Sequence, residues 1–166
     1  MIIKRYVLTG APGAGKTTIA NALRRRGHVV VPEAATDVVA GGGEGDGFVD
    51  AVLALQLARE RAATAPVQVL DRSPLCTLAL ARYLGVAPSA ALLAAAGNAA
   101  DRYERTVFLV QPLGFITPTA VRRISYADSL RFAAIHEDVY REYGFTLAEV
   151  PPAPVPERVA LVERRL

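Results

Sequence analysis

Cysteine is nearly absent from this chain. A single one, Cys76, stands among 166 residues, so no intrachain disulfide can form, and no Cys/His spacing resembles a zinc site. A reducing interior is the expected compartment. Lysine is almost as scarce, Lys4 and Lys16 against seventeen arginines. Charge has little excess of either sign, the formal net being +3. The one short basic cluster, Arg24 to Arg26, follows a helical pattern whose carbonyl end cations complement, so it is not the basic footprint of a nucleic-acid binder. Long apolar runs are missing as well. In the opening MIIKRYVLTG the charged pair Lys4-Arg5 is followed by only three clearly apolar residues before the glycine, too few for a signal-peptide core. Pro88, Ser89, Gly97 and Asn98 interrupt the richest stretch before it approaches the roughly 18 residues of a membrane helix. These absences predict a soluble, cytoplasmic protein with neither nucleic acid nor membrane as partner.

What is present is an alternation. The composition is 52% hydrophobic and 21% charged, with much alanine, which suits helices packed on a sheet. The length suits a single domain over 1–166. Strands are predicted at IIKRYVL (2–8), HVVV (28–31), PVQVL (66–70), RTVFLVQP (105–112) and FTLAEV (145–150). Helices are predicted from the end of the first glycine-rich loop to Gly27, over 34–40, 48–63, 75–84, 88–100 and 125–143, and over the closing PERVALVERRL. The glycine-dense GGGEGDG (41–47) predicts a flexible loop, and the proline-interrupted connector 112–124 a lid. Strands alternating with helices argue for a mostly parallel sheet covered on both faces. The ligand of such a sheet lies beyond the carboxyl ends of its strands.

The sharpest motif is TGAPGAGKTT (9–18). Gly10, Gly15, Lys16 and Thr17 fit the phosphate-loop pattern G-x-x-x-x-G-K-[ST], with a strand before and a helix after. A chance fit to the four fixed positions is roughly one in a thousand from the composition. Glycines let backbone N–H groups curl around phosphates where a β-carbon would obstruct them, and the helix adds its positive end. Gly10, Ala11, Pro12, Gly13, Ala14 and Gly15 would form the cradle. Lys16 would reach the β- and γ-phosphates, Thr17 would offer its hydroxyl to Mg²⁺, and Thr18 would meet the α-phosphate. The scarcity of lysine then becomes informative. Neither Lys4 nor Lys16 lies in an N-K-x-D motif, so the usual guanine-reading switch protein is disfavoured, while GTP stays possible as a donor beside ATP.

Three further signals follow strands. In VQVLDRS, Asp71 occupies the place where phosphate-loop proteins hold Mg²⁺ through water. Arg72 stands where hydrolytic ring ATPases carry a second acid, which points to binding of phosphate, acidic substrate or transition state; Asp71 or Ser73 before Pro74 would also start a helix well. In VVVPEAA, Glu33 could take the proton of an attacking hydroxyl, or could simply favour a helix N-terminus. In PTAVRRISYAD, Arg122 and Arg123 could close on the transferring phosphoryl group, or be an exposed pair at a helix start.

With these residues in view, the chain resembles the small AAA-domain ATPase/kinase-like family related to the kinase domain of the NadR protein. The likeness is carried by GAPGAGKTT, GHVVVPEAA, VLDRSPLCTLALARYLG, RTVFLVQP and IHEDVYREYGFTLAEVPPAPVPERV, nearly the whole length. It implies a three-layer α/β P-loop NTPase fold of the nucleoside-monophosphate-kinase type, with a five-stranded parallel sheet of order 2-3-1-4-5 and the Asp71 strand beside the loop strand. LDRS and the PE at 32–33 also resemble segments of deoxynucleoside kinases, where the glutamate is the base and the arginine binds near the reacting hydroxyl. That resemblance extends those roles to Glu33 and Arg72, and places adenine near EVPPAP with Pro151 in contact. The chain lacks the aromatic residue that those kinases place soon after their glutamate.

The expected activity is therefore an ATP- and Mg²⁺-dependent phosphotransferase acting on a hydroxyl of a small, nucleoside-like metabolite. Its competitor is a regulatory ATPase or GTPase module with slow hydrolysis and a protein partner. Monomer and homodimer are equally open from the sequence.

Overall fold

The computed structural model describes residues 1–43, 45, 47–113 and 125–166. In chain order the elements are β1 (Lys4–Thr9), α1 (Lys16–Arg25), β2 (Val29–Val31), α2 (Ala35–Ala40), α3 (Phe48–Ala62), β3 (Val67–Asp71), α4 (Pro74–Leu84), α5 (Ala90–Gly97), α6 (Ala99–Arg102), β4 (Thr106–Val110), α7 (Tyr126–Glu142), β5 (Thr146–Val150) and α8 (Val155–Glu163). The helix expected over 88–100 is shorter and breaks at Asn98, which serves both as the end of α5 and as the start of α6. Ser89 opens α5 by accepting the Leu92 N–H at 3.1 Å.

All strand pairs are parallel, and the five strands lie in the order β2-β3-β1-β4-β5, the order the resemblance implies. Alternating side chains send the strands' apolar residues to two faces. Val7, Leu70 and Val107 face α3, α4, α5 and α7, packing with Leu53, Leu75, Leu92 and Val139. Leu8, Val69, Phe108 and Val150 face α1 and α8, packing with Ile19, Leu23, Val159 and Val162. Helices on both faces bury the last four residues of each of β1, β3 and β4, which accounts for their nearly continuous apolar runs.

One buried acid is fully partnered within the first of these layers. Glu60 of α3 is wholly buried and accepts from Gln56 Nε2 at 3.0 Å, from Arg102 Nη2 at 2.6 Å and from the Tyr103 hydroxyl at 2.8 Å. An ion buried this way needs every lone pair met. The same Gln56 donates to the Arg72 carbonyl at 3.3 Å, which links the network to the carboxyl end of β3.

Candidate phosphate-binding and acceptor site

Registration sets the site. Leu8 of β1 pairs with Asp71 of β3, and the Arg72 N–H continues the ladder by donating to the Leu8 carbonyl at 3.1 Å. The glycine loop and the Asp71-Arg72 pair therefore leave the sheet side by side. The loop's conformation demands its glycines. Gly10 has φ 133, and a β-carbon there would lie 2.5 Å from the Val110 carbonyl oxygen; Gly15 has φ 101, and a β-carbon would lie 2.9 Å from Arg158 Nη1. Gly15 precedes α1 with no side-chain cap, and the first turn of α1 carries no acid. The N–H groups of that turn remain available to an anion, as does the positive end of the dipole.

Lys16 is 6% exposed. Its Nζ donates to the Gly10 and Ala11 carbonyls at 3.1 and 2.6 Å, folding back on the loop. Burial, with the charge of Arg72, pushes its amine down to about 7, against the opposing pull of Asp71. Asp71 is 2% exposed. Its Oδ2 accepts from the Thr17 hydroxyl at 3.1 Å, while Oδ1 has no hydrogen-bond partner. Burial raises this carboxyl above its usual range although Lys16 and Arg72 work against the shift. Together these groups form a buried, imperfectly neutralised cluster. An orphaned carboxylate oxygen beside a hydroxyl is a donor set that suits a hard cation.

Arg72 is the one non-glycine among the described residues with a positive φ, 79. Its Nη1 donates to His136 Nε2 at 2.8 Å, and its guanidinium lies 5.7 Å from the Phe132 ring centroid. Ser73, next in the chain, is the N-cap of α4, accepting the Leu75 N–H at 3.2 Å with Pro74 in the first turn. Asp71 instead ends β3. The helix-capping reading of this segment therefore belongs to Ser73.

Glu33 follows β2, is half-buried, and accepts the Thr36 N–H on Oε1 at 3.0 Å. It is thus a helix-start acid as well as a site residue. Arg59 fastens the same junction, donating to the Glu33 carbonyl and to Asp37 Oδ2, each at 2.5 Å. A cavity of about 800 Å³ is lined by Pro12, Gly13, Gly15, Lys16, Thr17, Thr18, Glu33, Asp71 and Arg72, and also by Leu113 and Phe132. Gly10, Ala11 and Ala14 are not on that wall; Ala11 and Ala14 are each 1% exposed. Arg122 and Arg123, and the proposed lid apart from Pro112 and Leu113, lie outside the described residues, as do Glu44 and Asp46 of the 41–47 loop. In that loop Gly43 donates to the Val38 carbonyl at 2.8 Å and Gly47 precedes α3.

Pro151 is exposed and off the cavity wall, and its carbonyl accepts from Arg158 Nε at 3.0 Å. This arginine of α8, not singled out by the sequence, is 3% exposed. It also donates to the carbonyls of Ala14 at 2.6 Å, Gln111 at 2.6 Å and Val150 at 3.5 Å. Burial lowers its pKa. It braces the glycine loop against the ends of β4 and β5. His136, Phe132 and Tyr140 were missed too. Their only sequence signal is a four-residue spacing along the 125–143 helix, which puts them on one face.

No curated protein matches the sequence. Among solved structures, a thymidylate kinase from Ehrlichia chaffeensis superimposes with a TM-score of 0.68 at 12% identity, covering 100% of both chains. A deoxyadenosine kinase from M. mycoides with bound dATP gives 0.51 at 12% identity, covering 97% of this chain and 98% of that one. The same enzyme with dCMP and dCDP gives 0.56 at 14% identity over 97% of each. At such identities the likeness is one of fold, that of P-loop nucleotide kinases. The family model described as an AAA domain matches residues 5–158; the chain, with its glycine loop, Lys16 and Thr17 at the head of a 2-3-1-4-5 parallel sheet, belongs to that family of P-loop proteins.

Proposed function

We propose that the protein transfers the γ-phosphoryl group of ATP to a hydroxyl of a small, nucleoside-like acceptor, with Mg²⁺. One observation carries the reading: Lys16 and Arg72 are basic side chains with no carboxylate salt bridge among the described residues, and both line one cavity with Glu33. Such a wall suits a phosphoryl group arriving on one side and a proton leaving on the other. The kinase fold of the structural neighbours supports the same class.

The N–H groups at the start of α1 and the Lys16 ammonium would bind the triphosphate, replacing the Gly10 and Ala11 carbonyls as partners of Nζ. Thr17 and the free Oδ1 of Asp71 fit Mg²⁺, a cation that keeps several waters and takes few protein ligands. When bound it would neutralise phosphate charge. The acceptor hydroxyl oxygen forms a bond to the γ-phosphorus as the bridge to the β-phosphate breaks, and its proton passes to the Glu33 carboxylate. Arg72 faces the charge spread over the transferred group. Positioning supplies most of the acceleration.

Incubation with γ-labelled ATP, Mg²⁺ and a panel of nucleosides, amino sugars and antibiotics tests the reading. A labelled acceptor is expected; label appearing only as inorganic phosphate across the panel would favour a hydrolytic or regulatory module.

A further inference from the structure

The face of α7 turned toward the site carries Phe132, His136 and Tyr140, each one turn beyond the last. It meets the segment after β3 point by point. Tyr140 places its hydroxyl 2.6 Å from Ser73 Oγ and 3.1 Å from Cys76 Sγ, and His136 places Nε2 2.8 Å from Arg72 Nη1. A guanidinium can only donate, so Nε2 must present its lone pair. The Phe132 carbonyl can only accept, and it lies 2.8 Å from Nδ1, so Nδ1 must carry the proton. The buried ring is fixed as one neutral tautomer with both nitrogens engaged. Desolvation and the Arg72 charge hold its pKa well below the ordinary histidine range.

We propose that His136 is a positioning residue that aims the Arg72 guanidinium at the phosphoryl group in transit without neutralising it. Among the described residues, the other contacts of Arg72 are made by its backbone, with Leu8 and Gln56, and by its guanidinium with the face of Phe132; within that set His136 holds the end of the long side chain. A carboxylate at this position would hold the guanidinium equally well but cancel the charge that the substrate is to meet. An aliphatic residue would keep the charge and release the aim. A neutral acceptor on a rigid, buried ring does both. The consequence for catalysis rests on the phosphotransferase reading; the holding of Arg72 does not.

Two substitutions separate the two ring nitrogens. Glutamine reaches the position of Nε2 and keeps an acceptor for Arg72; asparagine reaches the position of Nδ1 and keeps only a partner for the Phe132 carbonyl. The full chain carrying His136→Asn or His136→Gln is compared with wild type by arginine side-chain NMR and by steady-state turnover of MgATP without added acceptor. MgATP binding serves as the control for folding. His136→Asn should free rotation of the Arg72 guanidinium and lower turnover roughly tenfold, as expected of a slightly misplaced group, with MgATP affinity unchanged. His136→Gln should restore both, and His136→Asn should add nothing in an Arg72→Ala background. Restricted guanidinium rotation in His136→Asn, or equal loss in the two variants, would overturn the proposal. Freed rotation with turnover indifferent to Arg72→Ala would uphold the holding of Arg72 but overturn its aim at the phosphoryl group, while the labelled-acceptor assay decides the transfer reading separately.

Discussion

Two of the helices that begin at the carboxyl edge of the sheet, α1 and α2, have first turns treated in opposite ways. At α1 the turn has no side-chain cap and no acid, and the chain before it is held in left-handed glycine conformations. At α2, Glu33 accepts the Thr36 N–H and Arg59 ties down the carbonyl and the following Asp37. The first start leaves its donors open to an anion; the second meets one of its own, the Thr36 N–H, with a side chain. Support differs accordingly. The first turn of α1 rests on buried groups from remote elements, whereas α2, six residues long, buries none of its side chains. On the proposed reading, the first half would hold the nucleotide in a fixed place and the second would let an acceptor come and go.

The largest test of this contrast is Lys16→Ala. It should abolish nucleotide-dependent turnover, because the group meant for the β- and γ-phosphates is gone; persistence of turnover would mean that the loop is not the donor site. Next is Glu33→Gln, which keeps an oxygen for the Thr36 N–H and so removes only the base. Transfer should fall by roughly 10²–10⁴-fold with ATP binding unchanged, as measured by labelled transfer and by titration. Full-rate transfer would reduce Glu33 to a cap and move the role of base to Asp71.

A smaller effect is linked to protons. With the Lys16 amine held down to about 7, the free protein has largely shed this proton at pH 8, whereas phosphates would restore it. ATP binding at pH 8 should therefore take up protons through Lys16, less so at pH 6, seen as a calorimetric heat that changes between buffers of different ionisation enthalpy. The sign for stability runs the same way. Between about 7 and the model-peptide value of roughly 10.4 the unfolded chain binds more protons than the folded one, so this group's contribution to stability rises with pH across that window. The smallest effect is Glu33→Ala, which also removes the cap. It should cost about 1 kcal/mol in denaturant unfolding, or less, since α2 packs so lightly; no difference from Glu33→Gln would show that the cap does little.

The sequence carried the donor half because its requirements are local. Phosphate-binding N–H groups need glycine at fixed spacing, and the strand and helix on either side declare themselves by periodicity. The sheet order came through the resemblance and agrees with the pairing of β3 beside β1. The break at Asn98 was invisible, because alanine-rich sequence on both sides continues a helical pattern. His136 and Arg158 were illegible for another reason. Each is a polar residue in an apolar stripe, and its meaning comes from partners 64 and 144 residues away. Glu33 was legible as an alternative between base and cap, and the structure supplies the cap while its second oxygen keeps the other role open to experiment.

The distance from Ala14 to Arg158 has a consequence in time. During synthesis the glycine loop leaves the ribosome long before the residue that braces it, by something on the order of ten seconds at ordinary elongation rates. Until α8 docks, the loop lacks its support and the carbonyls of Gln111, Val150 and Pro151 lack their common donor. On the proposed reading, the loop acquires its grip on nucleotide only once α8 has docked, so nucleotide binding would report that docking.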